Sequence, residues 1–361
     1  MGKLVVVVGS GGVGKTTLAA ALGVLSARGG SSTLVMTFDP SLRLKDALGV
    51  GDEARVHEVR VPLKASGTLD VSLLDPRDTF DRLVARYAPD EAARERILHN
   101  RFYDQLSGTL AGIMEYMAVE RLFEVASERR WERVILDTPP TRQAIDFLQA
   151  PERIVGFLDS GALRVALKPW FDAEGRLRPT RRLGLLGRNL EAFLDRIVGL
   201  EVLRDMAEFF QAFAPLYEGF RSRATEVQAL LRAPETEFVL VTGPGEDGIP
   251  DTMFFARRLV EAGHRLGPVV VNRVHPPVAK TVGDREPGQR PSVAGLRLLR
   301  WLAEHDRRGL TALRGLMGSG RQVIDLPLLP VGPTDLGSLA GLATLLGGRL
   351  AARAAEVPGK G

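Results

Sequence analysis

The chain has 361 residues, 45% hydrophobic and 25% charged, with a formal net charge of +4. That balance buries a large core, and the length suits two domains or one large α/β domain with an insertion. The small net charge gives no support to nucleic-acid binding. The absence of cysteine excludes disulfides and any zinc or soft-metal site built on thiolates.

Leu4 to Val8 is a continuous β-branched run, the mark of a parallel strand buried on both faces. It is too short for a signal-peptide core and ends in glycines, and no stretch reaches the roughly 18 apolar residues of a membrane span. A cytoplasmic protein with no integral membrane segment is expected. Lys15 to Ala27 reads as a helix closed by Gly29 and Gly30. Further strands are predicted at Leu34 to Thr37, Arg133 to Asp137, Glu237 to Thr242, Val269 to Asn272 and Gln322 to Leu326. Helical patterns between them imply a mainly parallel sheet with right-handed crossovers.

Two long stretches carry apolar residues at helical spacing, with Phe80, Leu83, Val84 and Tyr87 in one and Leu203, Met206, Phe210 and Phe213 in the other. The predicted organisation is an α/β core over residues 1–75, 130–150 and 233–361, with a helical subdomain over 76–129 and 151–232. Arg176 to Arg188 reads as a basic, solvated loop, and His275 to Pro291 as a polar loop rich in Pro and Gly. The five histidines are scattered without ligand spacing.

Gly9-Ser10-Gly11-Gly12-Val13-Gly14-Lys15-Thr16 has the spacing of a phosphate-binding loop between a strand and a helix. Glycines let successive backbone N–H groups converge on an anion, and the helix that follows aims the positive end of its dipole there. Lys15 is placed to reach the β- and γ-phosphates of ATP, and Thr16 to give its hydroxyl to Mg²⁺. Residues Ser10 to Thr17 form the predicted nucleotide site. Asp137 ends an apolar strand and fits a carboxylate that holds Mg²⁺ through water. Asp39 ends another strand, from which it could orient or deprotonate an attacking water, and with Thr16 and Asp137 it is a candidate metal residue. An aspartate before proline is also a common turn residue, so Asp39 carries that simpler reading as well.

These segments together resemble the arsenite-pump ATPase family, which includes the ATPases that target tail-anchored membrane proteins. Gly9 to Thr17 is similar to the family's deviant P-loop, Thr37 to Leu44 to its switch I, and Asp137-Thr138-Pro139-Pro140-Thr141 to its switch II. Val269 to Arg273 resembles the strand whose asparagine, here Asn272, recognises adenine. Leu326 to Pro330 resembles the segment that packs on the base, through Pro327 and Leu328. The resemblance implies a P-loop NTPase fold, ATP hydrolysis with Lys15 and Asp39 in the chemistry, and a switch II built on Thr138, Pro140 and Thr141. A bacterial subgroup of actinobacteria that works as paired, non-identical subunits is the nearest in flavour, in residues 100–107, 115–118 and 209–213.

Three departures qualify what the resemblance implies. The family's loop begins Gly-Lys-Gly-Gly, and that lysine reaches the partner's phosphates across a dimer; here the position is Ser10. A hetero-oligomer with a paralogue that carries the lysine is therefore expected, and an ATP-binding regulatory subunit is the alternative. The family's cysteine-based metalloid and zinc sites are absent. Switch II continues Arg142-Gln143 where Gly-His is usual. A hydrophobic client is a further possibility, with Leu200, Leu203, Met206, Phe209, Phe210, Phe213 and Leu216 as groove candidates, although internal packing explains the same pattern.

Overall fold

A computed structural model describes residues 2–38, 43–100, 113–159, 209, 212–278, 293–318 and 320–356. The chain divides into two compact units. One comprises Met1–Leu74, Arg129–Ala144 and Leu231–Gly361; the other comprises Asp75–Glu128 and Ile145–Leu230.

The first unit is built on an eight-stranded sheet. Its strands are β1 (Leu4–Gly9), β2 (Ser32–Thr37), β3 (Val59–Arg60), β4 (Thr68–Leu73), β5 (Arg133–Asp137), β6 (Thr236–Thr242), β7 (Leu266–Val274) and β8 (Val323–Pro327). They lie in the order β3-β4-β2-β5-β1-β6-β7-β8. Every pair is parallel except β3 with β4, which runs antiparallel at the edge. The apolar run of β1 is explained by this order: it lies between β5 and β6 and is buried throughout.

Helix α1 (Lys15–Arg28) follows the glycine loop, and the late helix α10 (Leu336–Glu356) shares its cluster. Leu18, Leu22 and Val24 of α1, Leu339, Leu342 and Leu346 of α10, and Val5, Val7, Val35, Val239 and Val270 of the sheet form one buried core. Burying each such side chain contributes roughly 1.5–3 kcal/mol. Gly23 lets α1 sit directly on Val35 and Leu69, since a Cβ there would overlap Val35.

β3 and β4 are absent from the sequence reading. β4 is Thr-Leu-Asp-Val-Ser-Leu, which buries a charge and alternates polar with apolar residues, so it lacks the continuous apolar signature of the central strands. Its buried Asp70 is satisfied by partners distant in sequence. Arg60 Nε donates to Asp70 Oδ1 at 2.5 Å and Trp131 Nε1 to Oδ2 at 2.8 Å.

The second unit contains, among the described residues, α3 (Pro76–Tyr87), α4 (Glu91–Leu98), α5 (Ile113–Glu128) and most of α6 (Thr141–Asp159) and α7 (Tyr217–Arg232). Asp75 caps α3 by accepting from Asp78 N, and Asp90 caps α4 by accepting from Ala93 N. Phe80, Leu83, Val84, Met117, Phe209, Leu216 and Phe220 form the core, with Phe213 packed against it. Ring centroids of Phe209 and Phe213 lie 5.4 Å apart, and those of Phe213 and Phe220 4.7 Å apart. Phe209, Phe213 and Leu216 therefore pack internally; Leu200, Leu203, Met206 and Phe210 lie outside the described residues, as does the Arg176 to Arg188 loop.

A charged pair lies inside this unit. Arg223 Nε donates to Glu120 Oε2 at 2.6 Å, Tyr116 donates its hydroxyl to Glu120 Oε1, and the Arg223 guanidinium lies over the Tyr87 ring. Glu120 is 1% exposed and Arg223 5%. Burial raises the Glu120 carboxyl above its ordinary value, and the Arg223 charge opposes that rise. Removing the cation leaves a buried carboxylate uncompensated, so Arg223→Ala should cost about 3–5 kcal/mol near neutral pH. Because the folded state holds the Glu120 proton more tightly than the unfolded chain, the deficit should shrink as pH falls and widen as it rises. Thermal unfolding followed by circular dichroism at several pH values checks both the size and the sign.

Candidate functional site

β1 ends at Gly9, and the chain turns through residues 10–14 into α1. Three glycines make this turn possible: Gly9, Gly12 and Gly14 have φ of 151°, 78° and 93°. Side chains rarely tolerate these conformations. Gly9 also lies against the Val241 carbonyl of β6, where a Cβ would overlap. Gly14 occupies the cap of α1 in a left-handed conformation, with no side chain capping the helix and no acidic residue in its first turn. The first N–H groups of α1 therefore face the loop, as an anion site requires.

Lys15 opens α1 and is 6% exposed. Its Nζ donates to Ser10 O at 3.0 Å, so the ammonium lies inside the curve of the loop. Ser10, Val13, Gly14, Thr16 and Thr17 are partly buried, whereas Gly11 and Gly12 are exposed. Ser10 to Gly14 form the turn, and Lys15, Thr16 and Thr17 the first residues of α1.

Asp137 closes β5 and is fully buried. Its register partners are Val7 of β1 and Thr37 of β2, which places it between the strand that feeds the glycine loop and the strand that leads to Asp39. Thr37 Oγ1 donates to Asp137 Oδ2 at 2.9 Å. Thr138 ties the next residue back to β1, its Oγ1 donating to Val7 O at 2.8 Å. Pro140 then passes the loop, with side-chain carbons less than 4 Å from the point where a Gly11 Cβ would stand. α6 starts at Thr141, whose side chain lies outside the described residues, as do those of Arg142 and Gln143. Asp39 itself lies outside the described residues; Phe38 before it is buried, and its N–H donates to Asp137 O at 3.2 Å.

Asn272, read from the sequence as an adenine contact, is near the end of β7 and reaches the phosphate loop. Its Nδ2 donates to Val13 O at 2.8 Å. Pro327 and Leu328 lie alongside: Val274 of β7 pairs with Pro327 of β8, and Leu328 N donates to Val274 O at 2.8 Å. Leu328 is 39% exposed, an apolar surface next to the Asn272 strand.

Two residues were not singled out from the sequence. Thr37 holds Asp137, and its signal was its place in the switch I segment. Arg273 donates through Nη1 to Gly12 O at 3.0 Å; as an exposed cation beside Asn272 it gave no pattern of its own.

A strand, a glycine turn and a helix at one end of a parallel sheet, with a buried aspartate closing the neighbouring strand, define a P-loop nucleotide-binding protein. The sequence pattern of the anion-transporting ATPase family matches residues 2–284, and the chain belongs to that family. It is 25% identical over 278 residues to the "Putative arsenical pump-driving ATPase 1" of Aquifex aeolicus, covering 76% of this chain and 64% of that one. It is 32% identical over 155 residues to Protein Rv2184c of Mycobacterium tuberculosis, covering 40% of this chain and 36% of that protein. It is 30% identical over 145 residues to ATPase get3 of Neurospora crassa, covering 40% and 41%. The chain thus spans less than two thirds of the length of each of these relatives.

Gly14→Ala puts a Cβ on a left-handed residue and against the Asn272 amide. It should destabilise the first unit by roughly 1–2 kcal/mol from the backbone alone. It should also break the Asn272–Val13 bond, which protection of the loop amides in hydrogen exchange would report.

Proposed function

We propose that this protein binds ATP with magnesium and hydrolyses it to drive a conformational cycle of a dimer, as one subunit of a cytoplasmic hetero-oligomer. The observation that carries the reading is the pairing of Lys15, buried with its ammonium inside the glycine turn, with Asp137, buried at the end of the adjacent strand. Backbone N–H groups of Gly11 to Thr17 would bind the phosphates, and Lys15 would move from the Ser10 carbonyl to the β- and γ-phosphate oxygens. Thr16 and Asp137 offer hard oxygen donors, which suit magnesium. Among the described residues no cluster of three or more His, Asp or Glu could hold a metal; Asp39, outside them, is the third proposed ligand, beside phosphate and water. When bound, the ion neutralises charge on the β- and γ-phosphates. Asp39 would orient the attacking water. Thr138, Pro140 and Thr141 would carry the state of the γ-phosphate into α6, and Asn272, Pro327 and Leu328 would receive the base.

Ser10 supports the hetero-oligomer. Two identical copies closing on each other bring no cation from this position, whereas a paralogue with lysine there supplies one in trans. The same residue keeps a second reading in view, an ATP-binding regulatory subunit whose partner hydrolyses. The described groove candidates, Phe209, Phe213 and Leu216, belong to the core of the helical unit, which argues against ranking a carrier of hydrophobic clients higher. Among the described residues no helix is long and apolar enough to cross a membrane.

ATP turnover of the chain alone and mixed with a lysine-bearing paralogue tests the main reading. Lys15 bonds to the main-chain carbonyl of Ser10, so Ser10→Lys leaves that contact in place. This variant should raise turnover of the isolated chain by roughly 10²–10³-fold. If Asp39→Asn leaves turnover of the mixture unchanged, the regulatory reading is correct. Asp137→Asn keeps the shape and removes the charge, and should raise the magnesium needed for half-maximal turnover by about 10–100-fold.

A further inference from the structure

The end of β7 touches the glycine loop twice. Asn272 Nδ2 donates to Val13 O at 2.8 Å, and Arg273 Nη1 donates to Gly12 O at 3.0 Å. Adjacent residues of a regular strand point to opposite faces, yet these two reach the same loop. The backbone accounts for it. Arg273 has φ of 63°, a region that non-glycine residues seldom enter, and the pairing of β7 with β8 slips between Val271 and Val274. An irregularity of this kind re-aims side chains. Asn272 Oδ1 fixes it further by accepting from Arg273 N at 3.0 Å. A strained residue persists where its surroundings hold it, and strain of this sort gathers at functional sites.

The peptide unit is planar, so holding a carbonyl on one side fixes the following N–H on the other. Lys15 holds the carbonyl of Ser10, which orients the N–H of Gly11. Arg273 holds Gly12, which orients Val13 N–H. Asn272 holds Val13, which orients Gly14 N–H. Three peptide planes of the loop are thereby set by side chains, one from the start of α1 and two from the β7 irregularity, and the two β7 tethers are the ones that stay when Lys15 turns to the phosphates. Glycine-rich loops lack the intrinsic stiffness to keep these planes aligned.

We infer that Arg273 is a positioning residue for the phosphate site, acting through the Gly12 carbonyl to keep the loop's N–H groups aimed at the anion. This rests on the ATP-binding reading of the same site. The guanidinium is exposed yet directed at a backbone oxygen, and a lysine at this position has a donor of similar reach. The φ of Arg273 serves the tether rather than the reverse, so glycine there would ease the backbone and lose the function.

Titration calorimetry with magnesium and either ADP or inorganic pyrophosphate tests this on the full chain, with Arg273→Ala, Arg273→Lys and Arg273→Gly. Loss of a charge-assisted hydrogen bond should weaken ADP binding about 10–100-fold in the Ala and Gly variants, with Lys recovering most of it. Pyrophosphate should weaken by the same factor, because the tether acts on the loop and not on the nucleoside. The Gly variant should melt no lower than the parent without ligand, which separates positioning from a purely structural role. Unchanged ADP affinity in Arg273→Ala overturns the inference. So does a loss seen with ADP but not with pyrophosphate, which would make Arg273 a nucleoside contact. No ADP binding by the unaltered chain would overturn the functional reading itself, and this inference with it.

Discussion

The loop between β1 and α1 can bind an anion only if its carbonyls point away from the space its N–H groups enclose. Everything around the loop serves that constraint. Gly9, Gly12 and Gly14 permit the necessary φ values, and Gly9 also allows the close approach of β6. Arg273 and Asn272 hold two of the carbonyls from a strand more than 250 residues away in sequence, while Lys15, inside the curve, bonds the Ser10 carbonyl. A glycine turn alone is too flexible to hold such a shape, since each glycine it contains widens the conformations open to it. The sheet is what makes the shape permanent.

The same sheet explains why one buried aspartate can serve the site. β5 lies between β1 and β2, so Asp137 at its end has the strand entering the glycine loop on one side and the strand leading to Asp39 on the other. A fully buried carboxylate in such a place is costly unless donors face it. The Thr37 hydroxyl is one of these. The Thr138 bond to Val7 holds the chain against β1 for one more residue, so the segment before α6 leaves the sheet from a fixed point. Family membership, the buried Lys15 and this arrangement agree on nucleotide binding. Ser10 is the one loop residue that departs from the pattern, and it departs at the position that in the resembled family acts on a partner. On the proposed function its effect falls on assembly and turnover, while Lys15 bonds the main-chain carbonyl of Ser10 whatever the side chain.

The helical unit follows a different logic. Besides its aromatic core of Phe80, Phe209, Phe213 and Phe220, it buries an ion pair, Glu120 with Arg223. The guanidinium lies 4.3 Å from the Tyr87 ring centroid and 5.0 Å from that of Phe220, contacts that lower the cost of burying it. Such a pair contributes little net stability compared with apolar replacements, but it penalises every packing in which either partner is left alone.

The sequence by itself determined the parts whose signal is local. The run Leu4 to Val8, the glycine spacing, Lys15, and the aspartate at the end of Val134-Ile135-Leu136 are each legible because neighbouring residues fix the backbone state and the chemistry together. They were sufficient for the α/β class and the P-loop, and with the segments at Thr37 to Leu44, Val269 to Arg273 and Leu326 to Pro330 for the family. Only the tertiary structure decided what depends on partners distant in the chain. β4 was hidden because its buried Asp70 is made tolerable by Arg60 and Trp131, not by its neighbours. Asn272 carries a base-contact expectation from the resemblance, but its grip on Val13 leaves no mark in the sequence, and neither does the contact of Arg273 with Gly12. Both contacts arise from a register slip between β7 and β8, and register is set by how two distant strands meet, which no local pattern records.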